Sequence, residues 1–308
     1  MNPKIKVLGV GGSGSNTVAR IAKAGVVGVE LIAINTDAQA LHFCKVEKKV
    51  LIGKNVTKGL GAGMDMSQGR AAAEENKQEI EELIKGSDMV FVTCGLGGGT
   101  GSGAAPLVAE ISKKLGVLTV AVVTTPFSFE GEQRRDIAKK ALEGLRGNVD
   151  SLLIISNDKL LKAIDEKTTV SNAFEICDDV LRQAVQGITD VILAPGIINI
   201  DFASVVSIMK DSGQALFGTG IAKGEGRVVE ASTAAINSPL LDFSIKGSRG
   251  ILFNASGSDV TLQEIKEAAR VITENADPKA QIIFGATKDN TLKKGEIKIT
   301  VIATQVRS

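Results

Sequence analysis

The sequence predicts an α/β protein: a parallel sheet with helices on both faces, then a long central helix, then a smaller α+β domain with a mixed sheet. Three observations predict it. Short apolar runs alternate with helical patterns over the first half, a longer helical pattern covers residues 171–189, and the pattern changes after Pro195. Strand–helix alternation of this kind is typical of parallel sheets covered on both faces. We expect domains at residues 1–170 and 194–308, joined by a central helix over 171–193.

Six runs rich in Val, Ile and Leu predict the strands of the parallel sheet, because strands buried on both faces lack polar alternation. They are Ile5–Val10, Val29–Ile34, Val46–Ile52, Met89–Cys94, Leu118–Val123 and Leu152–Ile155. Helical patterns lie between them, at Asn16–Ala24, Ser67–Lys85, Ala104–Leu115 and Glu132–Leu145.

The long helix is predicted from apolar residues that recur at helical spacing between Phe174 and Ile188, with Ser171 as its N-cap. The smaller domain is predicted to contain helices at Phe202–Met209, Gly226–Ile236 and Leu262–Glu274 and strands at Ala215–Ala222, Ile251–Ala255, Ile282–Ala286 and Glu296–Thr304. The polar segment Lys288–Gly295 predicts that the last two strands form a hairpin-like pair.

Composition excludes several classes of protein. The 36 Lys and Arg residues balance 35 Asp and Glu residues, so there is no basic field for nucleic acid and no polybasic segment for a membrane surface. No apolar run approaches the roughly 18 residues of a membrane span, and the N-terminus is typical of a strand and not of a signal peptide. Three scattered Cys and one His argue against disulfides and against a metal held by the protein. We therefore expect a cytoplasmic protein.

The first glycine-rich loop, Gly9 to Asn16, follows the first strand directly and opens a helix. Glycines allow close backbone approach to a phosphate, and a helix N-terminus supplies free N–H groups. The loop also satisfies G-x-G-x-x-G, and Asp37 follows the second strand, where dinucleotide-binding folds place the acid that binds ribose. An NAD-dependent oxidoreductase that uses Gly9–Gly14 and Asp37 therefore remains an alternative.

The second glycine-rich loop, Gly95 to Gly103, has six glycines in nine residues and again lies between a buried strand and a helix. A dinucleotide fold has no use for a second phosphate cradle. A nucleoside di- or triphosphate does, because it presents several oxygens to surrounding N–H groups. No G-x-x-x-x-G-K-[ST] occurs, so the chain is not a P-loop NTPase.

The stretch GGGTGSG at residues 97–103 is similar to the signature of the tubulin and FtsZ superfamily, and the chain resembles the FtsZ family over essentially its whole length. Further matching stretches are GVGGSGSN (9–16), NTDAQAL (35–41), GLGAGMD (59–65), TPFSFEGEQR (125–134), SNDKLL (156–161), DDVLRQAVQGI (178–188), PGIINIDFA (195–203), SPLL (238–241) and ITVIAT (299–304). The resemblance implies a Rossmann-like GTPase sheet, GTP or GDP with Mg²⁺ as ligands, and polymerisation-dependent GTP hydrolysis. It also implies head-to-tail filaments in the cell-division ring at mid-cell.

The resemblance also implies a set of nucleotide-binding residues. They are Gly11, Gly12, Ser13, Gly14, Ser15 and Asn16 in the first loop, Gly97, Gly98, Gly99, Thr100 and Gly101 in the second, Gly61, Ala62 and Gly63 in a γ-phosphate-sensing loop, and Glu130, Arg134, Asn157, Phe174 and Asp178. Phe174 and Asp178 are four residues apart, hence on one helix face, where they can stack on a purine and accept from guanine N1–H and N2–H. The neighbouring Asp179 leaves this assignment open by one residue.

The family's catalytic loop matches Asn199, Asp201 and Ser204, and in the family it enters the nucleotide site of the next subunit. The family pattern NxDFADV has a second acid where this chain has Ser204. A hydroxyl group is a poor base at neutral pH, so we expect slow hydrolysis unless another acid, such as Asp211, substitutes. Asp201 could also serve as the N-cap of the following helix. Membrane-anchor and division proteins are expected partners, although the tail segment that binds them is not among these 308 residues.

Overall fold

The computed structural model describes residues 2–163, 168–194, 196–238, 245–274, 276–289 and 291–305. It divides the chain into two compact units, residues 1–186 and 187–308. Pro195, which was expected to end the long helix, and residues 239–241 of the SPLL motif lie outside the described residues.

The first unit contains a parallel sheet, as predicted. Its strands are β1 (Ile5–Val10), β2 (Val29–Asn35), β3 (Lys48–Leu51), β4 (Met89–Gly95), β5 (Leu118–Thr125) and β6 (Ser151–Ser156). They are ordered β3-β2-β1-β4-β5-β6, and every pairing is parallel. Chain order reverses between β1 and β4, and each of these adjacent strands ends in one of the two glycine-rich loops. Ligands of open α/β sheets bind at such a switch point, outside the carboxyl ends of the strands.

Nine helices are described in this part of the chain. They are α1 (Gly11–Lys23), α2 (Ala38–Phe43), α3 (Lys54–Thr57), α4 (Met66–Glu75), α5 (Lys77–Ile84), α6 (Gly99–Lys114), α7 (Glu132–Arg146), α8 (Asn157–Ala163) and α9 (Val170–Leu193), and a 3₁₀ turn covers Ser128–Glu130. The boundary between the two units falls within α9.

Four helix predictions need correction. The single helix expected over Ser67–Lys85 is two helices, because Asn76 leaves helical geometry and its side chain accepts a hydrogen bond from the Gly53 amide over 2.8 Å. Helices α1 and α6 begin within the glycine loops, earlier than predicted. The long helix is capped by Thr169 and not by Ser171, since the Asn172 amide donates to the Thr169 hydroxyl over 3.3 Å.

The second unit contains the predicted mixed sheet. Its strands are β7 (Gly196–Ile198), β8 (Gly213–Lys223), β9 (Gly250–Gly257), β10 (Gln281–Thr287) and β11 (Glu296–Thr304), and its further helices are α10 (Phe202–Met209), α11 (Arg227–Ile236) and α12 (Leu262–Thr273). The strands are ordered β8-β11-β9-β10-β7. Strands β9 and β10 are parallel, and the other pairings are antiparallel.

The hairpin expected between the last two strands is wrong, because β9 lies between β10 and β11. The physical reason is the connection through α12. A strand–helix–strand crossover makes β10 parallel to β9, and the other edge of β9 is then free for β11.

Candidate nucleotide-binding site

A cleft of about 440 Å³ lies at the carboxyl ends of the central strands of the first unit. Its volume is within the range of roughly 300–1,000 Å³ that is typical of small-molecule sites. It is lined by Gly12, Ser13, Asn16, Gly95, Leu96, Gly98, Gly99, Thr100, Gly101, Thr124, Pro126, Glu130, Arg134, Asn157, Phe174, Cys177 and Asp178. A larger cavity of about 790 Å³ beside β2 and β3 contains none of the predicted site residues.

The cleft brings together twelve of the predicted nucleotide-binding residues from both glycine loops, the region after β5, the start of α8, and α9. Seven predicted residues do not line it: Gly11, Gly14, Ser15, Gly61, Ala62, Gly63 and Gly97. Five lining residues were missed: Gly95, Leu96, Thr124, Pro126 and Cys177. Their positions in the sequence could have identified them. Gly95, Leu96, Thr124 and Pro126 come just after predicted strands, and Cys177 is within one helical turn of Phe174.

The two glycine loops bring two helix N-termini close together. Helices α1 and α6 have no side-chain cap and no acid in the first turn, so their first N–H groups are free to bind a ligand. The loops also touch through their backbones, since a Cβ atom on Gly11 would lie 2.9 Å from the Gly101 nitrogen. Gly11 adopts a φ of 75°, which L-residues rarely adopt. Two uncapped helix N-termini side by side fit the phosphates of a nucleotide.

The third loop, Gly61 to Gly63, lies against the first turn of α6 and not in the cleft wall. The Gly61 amide donates to the Thr36 carbonyl over 3.2 Å, and a Cβ atom on Gly99 would lie 2.9 Å from that of Ala62. The Thr36 hydroxyl is 2.6 Å from that of Thr100, a cleft residue. The third loop is therefore linked to the cleft residue Thr100 by two hydrogen bonds through Thr36.

The structure places Asp178, and not Asp179, in the cleft. Asp178 is 8% exposed, accepts a hydrogen bond from the Ser13 hydroxyl over 3.0 Å, and lies 3.9 Å from the Arg20 guanidinium. Asp179 instead accepts hydrogen bonds from Arg182 and Gln183, over 2.6 Å and 2.7 Å. Of the two neighbouring acids, only Asp178 lines the cleft. The pairing with Arg20 was missed.

Burial raises the pKa of Asp178 to about 6, and the Ser13 hydrogen bond and the Arg20 charge only partly oppose this effect. Burial, reinforced by the negative charge of Asp178, raises the pKa of the adjacent Cys177 thiol to about 12. At pH 7 the Cys177 thiol is therefore protonated, which is its less nucleophilic form.

Phe174 offers an aromatic face at the same end of the cleft. Its ring is 41% exposed and packs edge-on against Phe127, with centroids 5.3 Å apart and planes at 88°. A large, half-exposed aromatic ring one helical turn from a buried carboxylate can stack on a base while the carboxylate accepts hydrogen bonds from the edge of that base.

Glu130, Arg134 and Asn157 also line the cleft. Glu130 and Arg134 form an ion pair of 3.3 Å across the start of α7, and Glu130 also accepts from the Phe127 amide over 2.9 Å. Asn157 is 5% exposed, and its amide oxygen has no hydrogen-bond partner among the described residues. A buried acceptor without a partner is unfavourable, so this oxygen fits a ligand that brings a hydroxyl or N–H group.

The predicted catalytic residues lie in the second unit. Asp201 caps α10 by accepting from the Ser204 amide over 2.6 Å, so the alternative role of an N-cap is confirmed. Its hydrogen bonds from Ser204 hold the pKa of the exposed Asp201 carboxyl below its usual value. Asn199 folds back to accept from the Gly196 amide over 2.7 Å. An ionised carboxylate thus lies on the surface of this unit at neutral pH.

Asp37 does not lie in the cleft, where the dinucleotide interpretation would need an acid that binds ribose. Its carboxylate caps α2, accepting from the Ala40 amide over 2.9 Å, and it does not line the cleft. Within the described ranges, no cluster of three His, Cys, Asp or Glu side chains could hold a metal ion. No helix within those ranges is both long and apolar enough to span a membrane.

Comparisons with known proteins agree with this architecture. The GTPase domain of the tubulin/FtsZ family matches residues 4–165, and the C-terminal domain of the FtsZ family matches residues 213–307. A structure of an empty FtsZ dimer from M. jannaschii is 46% identical, covers 99% of this chain and 88% of its own, and has a TM-score of 0.94. A protofilament structure of CetZ2 from Haloferax volcanii with bound GTPγS is 22% identical, covers 97% and 92%, and has a TM-score of 0.85, which shows the shared fold. The chain therefore belongs to the FtsZ family of tubulin-like GTPases.

Proposed function

We propose that this GTPase assembles head to tail into filaments of the cytoplasmic division ring at mid-cell and hydrolyses GTP at the interface between subunits. In this proposal residues 1–170 bind GTP, residues 171–193 form the central helix, and residues 194–308 supply the catalytic loop to the next subunit. Hydrolysis is slow, because Ser204 stands where the family has a second acid.

One observation carries the proposal. Every residue that lines the cleft belongs to the first unit, whereas Asp201 is exposed and ionised on the surface of the second unit. A surface carboxylate that caps a helix is rigidly held, yet it remains accessible to another molecule. A copy of the same chain that docks this surface onto the cleft would form a head-to-tail contact, and contacts of that kind generate filaments.

The cleft residues would bind GTP as follows. Backbone N–H groups of α1 and α6 bind the phosphates, Phe174 stacks on the base, and ionised Asp178 accepts from guanine N1–H and N2–H. Adenine lacks this pair of donors on the same edge, so an aspartate there favours GTP over ATP. The unpartnered oxygen of Asn157 is an acceptor for a ligand hydroxyl or N–H group.

Mg²⁺ fits this donor set only as an ion held by the phosphates and water. The two carboxylates of the cleft, Glu130 and Asp178, already accept from Arg134 and Ser13. Mg²⁺ commonly keeps several waters and binds substrate phosphates, so it needs no further protein ligand here. When bound, it would offset the negative charge that develops on the phosphates.

In the hydrolysis step, Asp201 of one subunit accepts a hydrogen bond from the water that attacks the γ-phosphate held by its neighbour. The Ser204 hydroxyl lies one helical turn away, but it is neutral and a poor base. A positioned base or water-orienting group typically contributes about 10²–10⁴-fold in rate. Because Asp201 remains, we expect the loss due to Ser204 to fall toward the lower end of this range.

The principal partner is a second copy of this chain, and membrane-anchor and division proteins of the kind known for the family are further partners. We propose neither a nucleic-acid partner nor direct membrane binding, because the net charge is only +1 and no basic tract is present.

The test measures phosphate release per subunit over a range of protein concentrations, with sedimentation to quantify polymer. We expect turnover per subunit to rise above a threshold that coincides with polymer formation, and Asp201→Ala to polymerise without that rise. Turnover that stays constant down to dilute monomer would show that Asp201 acts within its own subunit. Chromatography of the nucleotide that co-purifies should detect GDP or GTP, and NAD in its place would contradict the proposal.

A further inference from the structure

A buried cluster of three polar side chains lies in the sheet of the second unit. Its members are Asn254 and Ser256 on β9 and Thr287 at the end of β10, which are 2%, 4% and 7% exposed. The Asn254 amide nitrogen donates to the hydroxyls of Ser256 and Thr287 over 2.9 Å and 2.8 Å, and these hydroxyls lie 2.8 Å apart. The three side chains, here called the Asn254 cluster, form a closed ring of hydrogen bonds.

The Asn254 cluster is joined to the loop of Asn199 and Asp201 through the backbone of β10. Strand β10 pairs with β7, where Thr287 lies opposite Gly196, and the register shifts next to this pair. The Gly196 amide in turn donates to the Asn199 side chain over 2.7 Å. Thr287 therefore belongs both to the buried cluster and to the strand pair from which the loop departs.

A second connection runs through Ile200. This side chain is 7% exposed and lies between exposed Asn199 and exposed Asp201. A Cβ atom on Gly285 would lie 2.9 Å from the Asn254 amide oxygen and 3.0 Å from the Ile200 Cδ1 atom. The side chain of Ile200 and the amide of Asn254 thus approach each other across a glycine, so the residue next to Asp201 packs beside the cluster.

The polar character of this cluster calls for a physical reason. Apolar side chains could fill the same space without desolvating any polar group, and the Asn254 amide oxygen has no partner among the described residues. Directional hydrogen bonds specify a single side-chain arrangement more strictly than apolar packing does. Here that arrangement fixes Thr287, and its strand neighbours Gly285 and Ala286 also lie against residues 196–200.

We propose that the Asn254 cluster is a positioning network that holds the backbone of residues 196–201, and thereby Asp201, in the geometry needed for hydrolysis. The inference rests on the proposed function, in which Asp201 orients the attacking water. The N-cap bond to Ser204 fixes the Asp201 carboxylate relative to α10, and the cluster fixes the backbone that leads into it. A misplacement of about 1 Å can cost roughly a hundredfold in rate, so partial loosening should cost about tenfold.

A matched pair of variants at Thr287 tests the proposal. Thr287→Val keeps the shape and removes the hydroxyl, whereas Thr287→Ser keeps the hydroxyl and removes a methyl group. We expect Thr287→Val to lower phosphate release about tenfold at equal polymer mass, with the GTP concentration for half-maximal rate and the assembly threshold unchanged. Thr287→Ser should retain most of the rate. Equal losses in the two variants, or a full rate for Thr287→Val, would overturn the proposal.

Asp201→Ala separates this inference from the proposed function. If Asp201→Ala alone keeps full turnover, the proposed role of Asp201 is wrong, and the inference falls with it. If Asp201→Ala has a reduced but measurable turnover and Thr287→Val is normal, only the inference is wrong. Adding Thr287→Val to Asp201→Ala should cause no further loss of rate, and an additional tenfold loss would show that the cluster acts elsewhere. Should Thr287→Val not fold, Ser256→Ala, which removes another hydroxyl of the ring, is judged by the same measurements.

Discussion

The hydroxyl of Ser13 donates a hydrogen bond to the carboxylate of Asp178 over 3.0 Å, although the two residues are 165 positions apart in the chain. Ser13 belongs to the loop proposed to bind phosphates, and Asp178 is proposed to bind the guanine base. The bond holds the buried carboxylate in place before a ligand arrives. In the proposed complex, the first turn of α1 would therefore contribute to the recognition of both the phosphates and the base.

Asp178→Ala should weaken GTP binding roughly tenfold or more, because loss of a buried acceptor typically costs about 1–3 kcal/mol. The neighbouring variant Asp179→Ala is the matched control, since Asp179 bonds Arg182 and Gln183 outside the cleft. Nucleotide titration of monomer below the assembly threshold measures both. A stronger effect of Asp179→Ala would move the base-binding role to that residue.

GTP affinity should fall as the pH is lowered from 7.5 to 5. The pKa of Asp178 is raised to about 6 in the ligand-free protein, so the carboxyl is ionised above that pH and protonated below it. Only the ionised form accepts from both guanine N–H groups. At pH 5 about one tenth is ionised, which predicts a loss of up to about tenfold. The side chain of the Asp178→Asn variant does not titrate, so the pH dependence of its GTP affinity measures the contribution of the nucleotide's phosphates alone. Identical profiles for the two proteins would contradict the prediction.

Ser204→Asp should increase phosphate release at equal polymer mass, by up to about a hundredfold. It should not destabilise the protein, because an acid in the first turn of α10 interacts favourably with the helix dipole. Ser207→Asp, one turn further along α10, introduces the same charge at a different place and should leave the rate unchanged. Equal rates for the wild-type protein and Ser204→Asp would show that the second carboxylate is dispensable here.

Gly11→Ala should lower the free energy of unfolding by about 1–3 kcal/mol, because a Cβ atom would be strained at this φ and would collide with the Gly101 backbone. Gly12→Ala should be neutral or slightly stabilising, since a Cβ atom there meets nothing within 4 Å and the residue is helical. Denaturant unfolding without nucleotide measures both variants. Equal destabilisation would mean that the two glycine loops do not depend on close backbone contact.

Most of the parallel sheet could be predicted because its central strands β1, β4 and β5 are almost entirely buried and consist mostly of apolar residues. The starts of α1 and α6 could not be predicted, since glycine is a poor helix former and local propensity argues against a helix there. In the folded chain the two loops lie against each other, and a bulkier residue at Gly11 or Gly101 would not fit. Tertiary packing thus overrides propensity at these two helix starts.

The candidate site shows the same division. Helical spacing alone placed Phe174 and Asp178 on one face, but it could not choose between Asp178 and Asp179, since both are acidic and adjacent. The structure places Asp178 in the cleft beside Ser13 and Arg20, which favours it over Asp179 as the acid to test. The sequence alone was enough to show that Ser204 stands where the family motif has a second acid after Asp201. The N-cap bond to Ser204 shows, in addition, how that carboxylate is held.

Sequence alone was enough to recognise the fold class, the two glycine-rich loops, the likeness to the FtsZ family and the departure at Ser204, because glycine spacing, short motifs and local periodicity are properties of short segments. Tertiary structure alone decided that β9 separates β10 from β11, that Asp37 caps a helix, and that Asp178 lies in the cleft with a raised pKa. Each of these depends on contacts between segments far apart in the chain, whose pairing and desolvation no local pattern encodes.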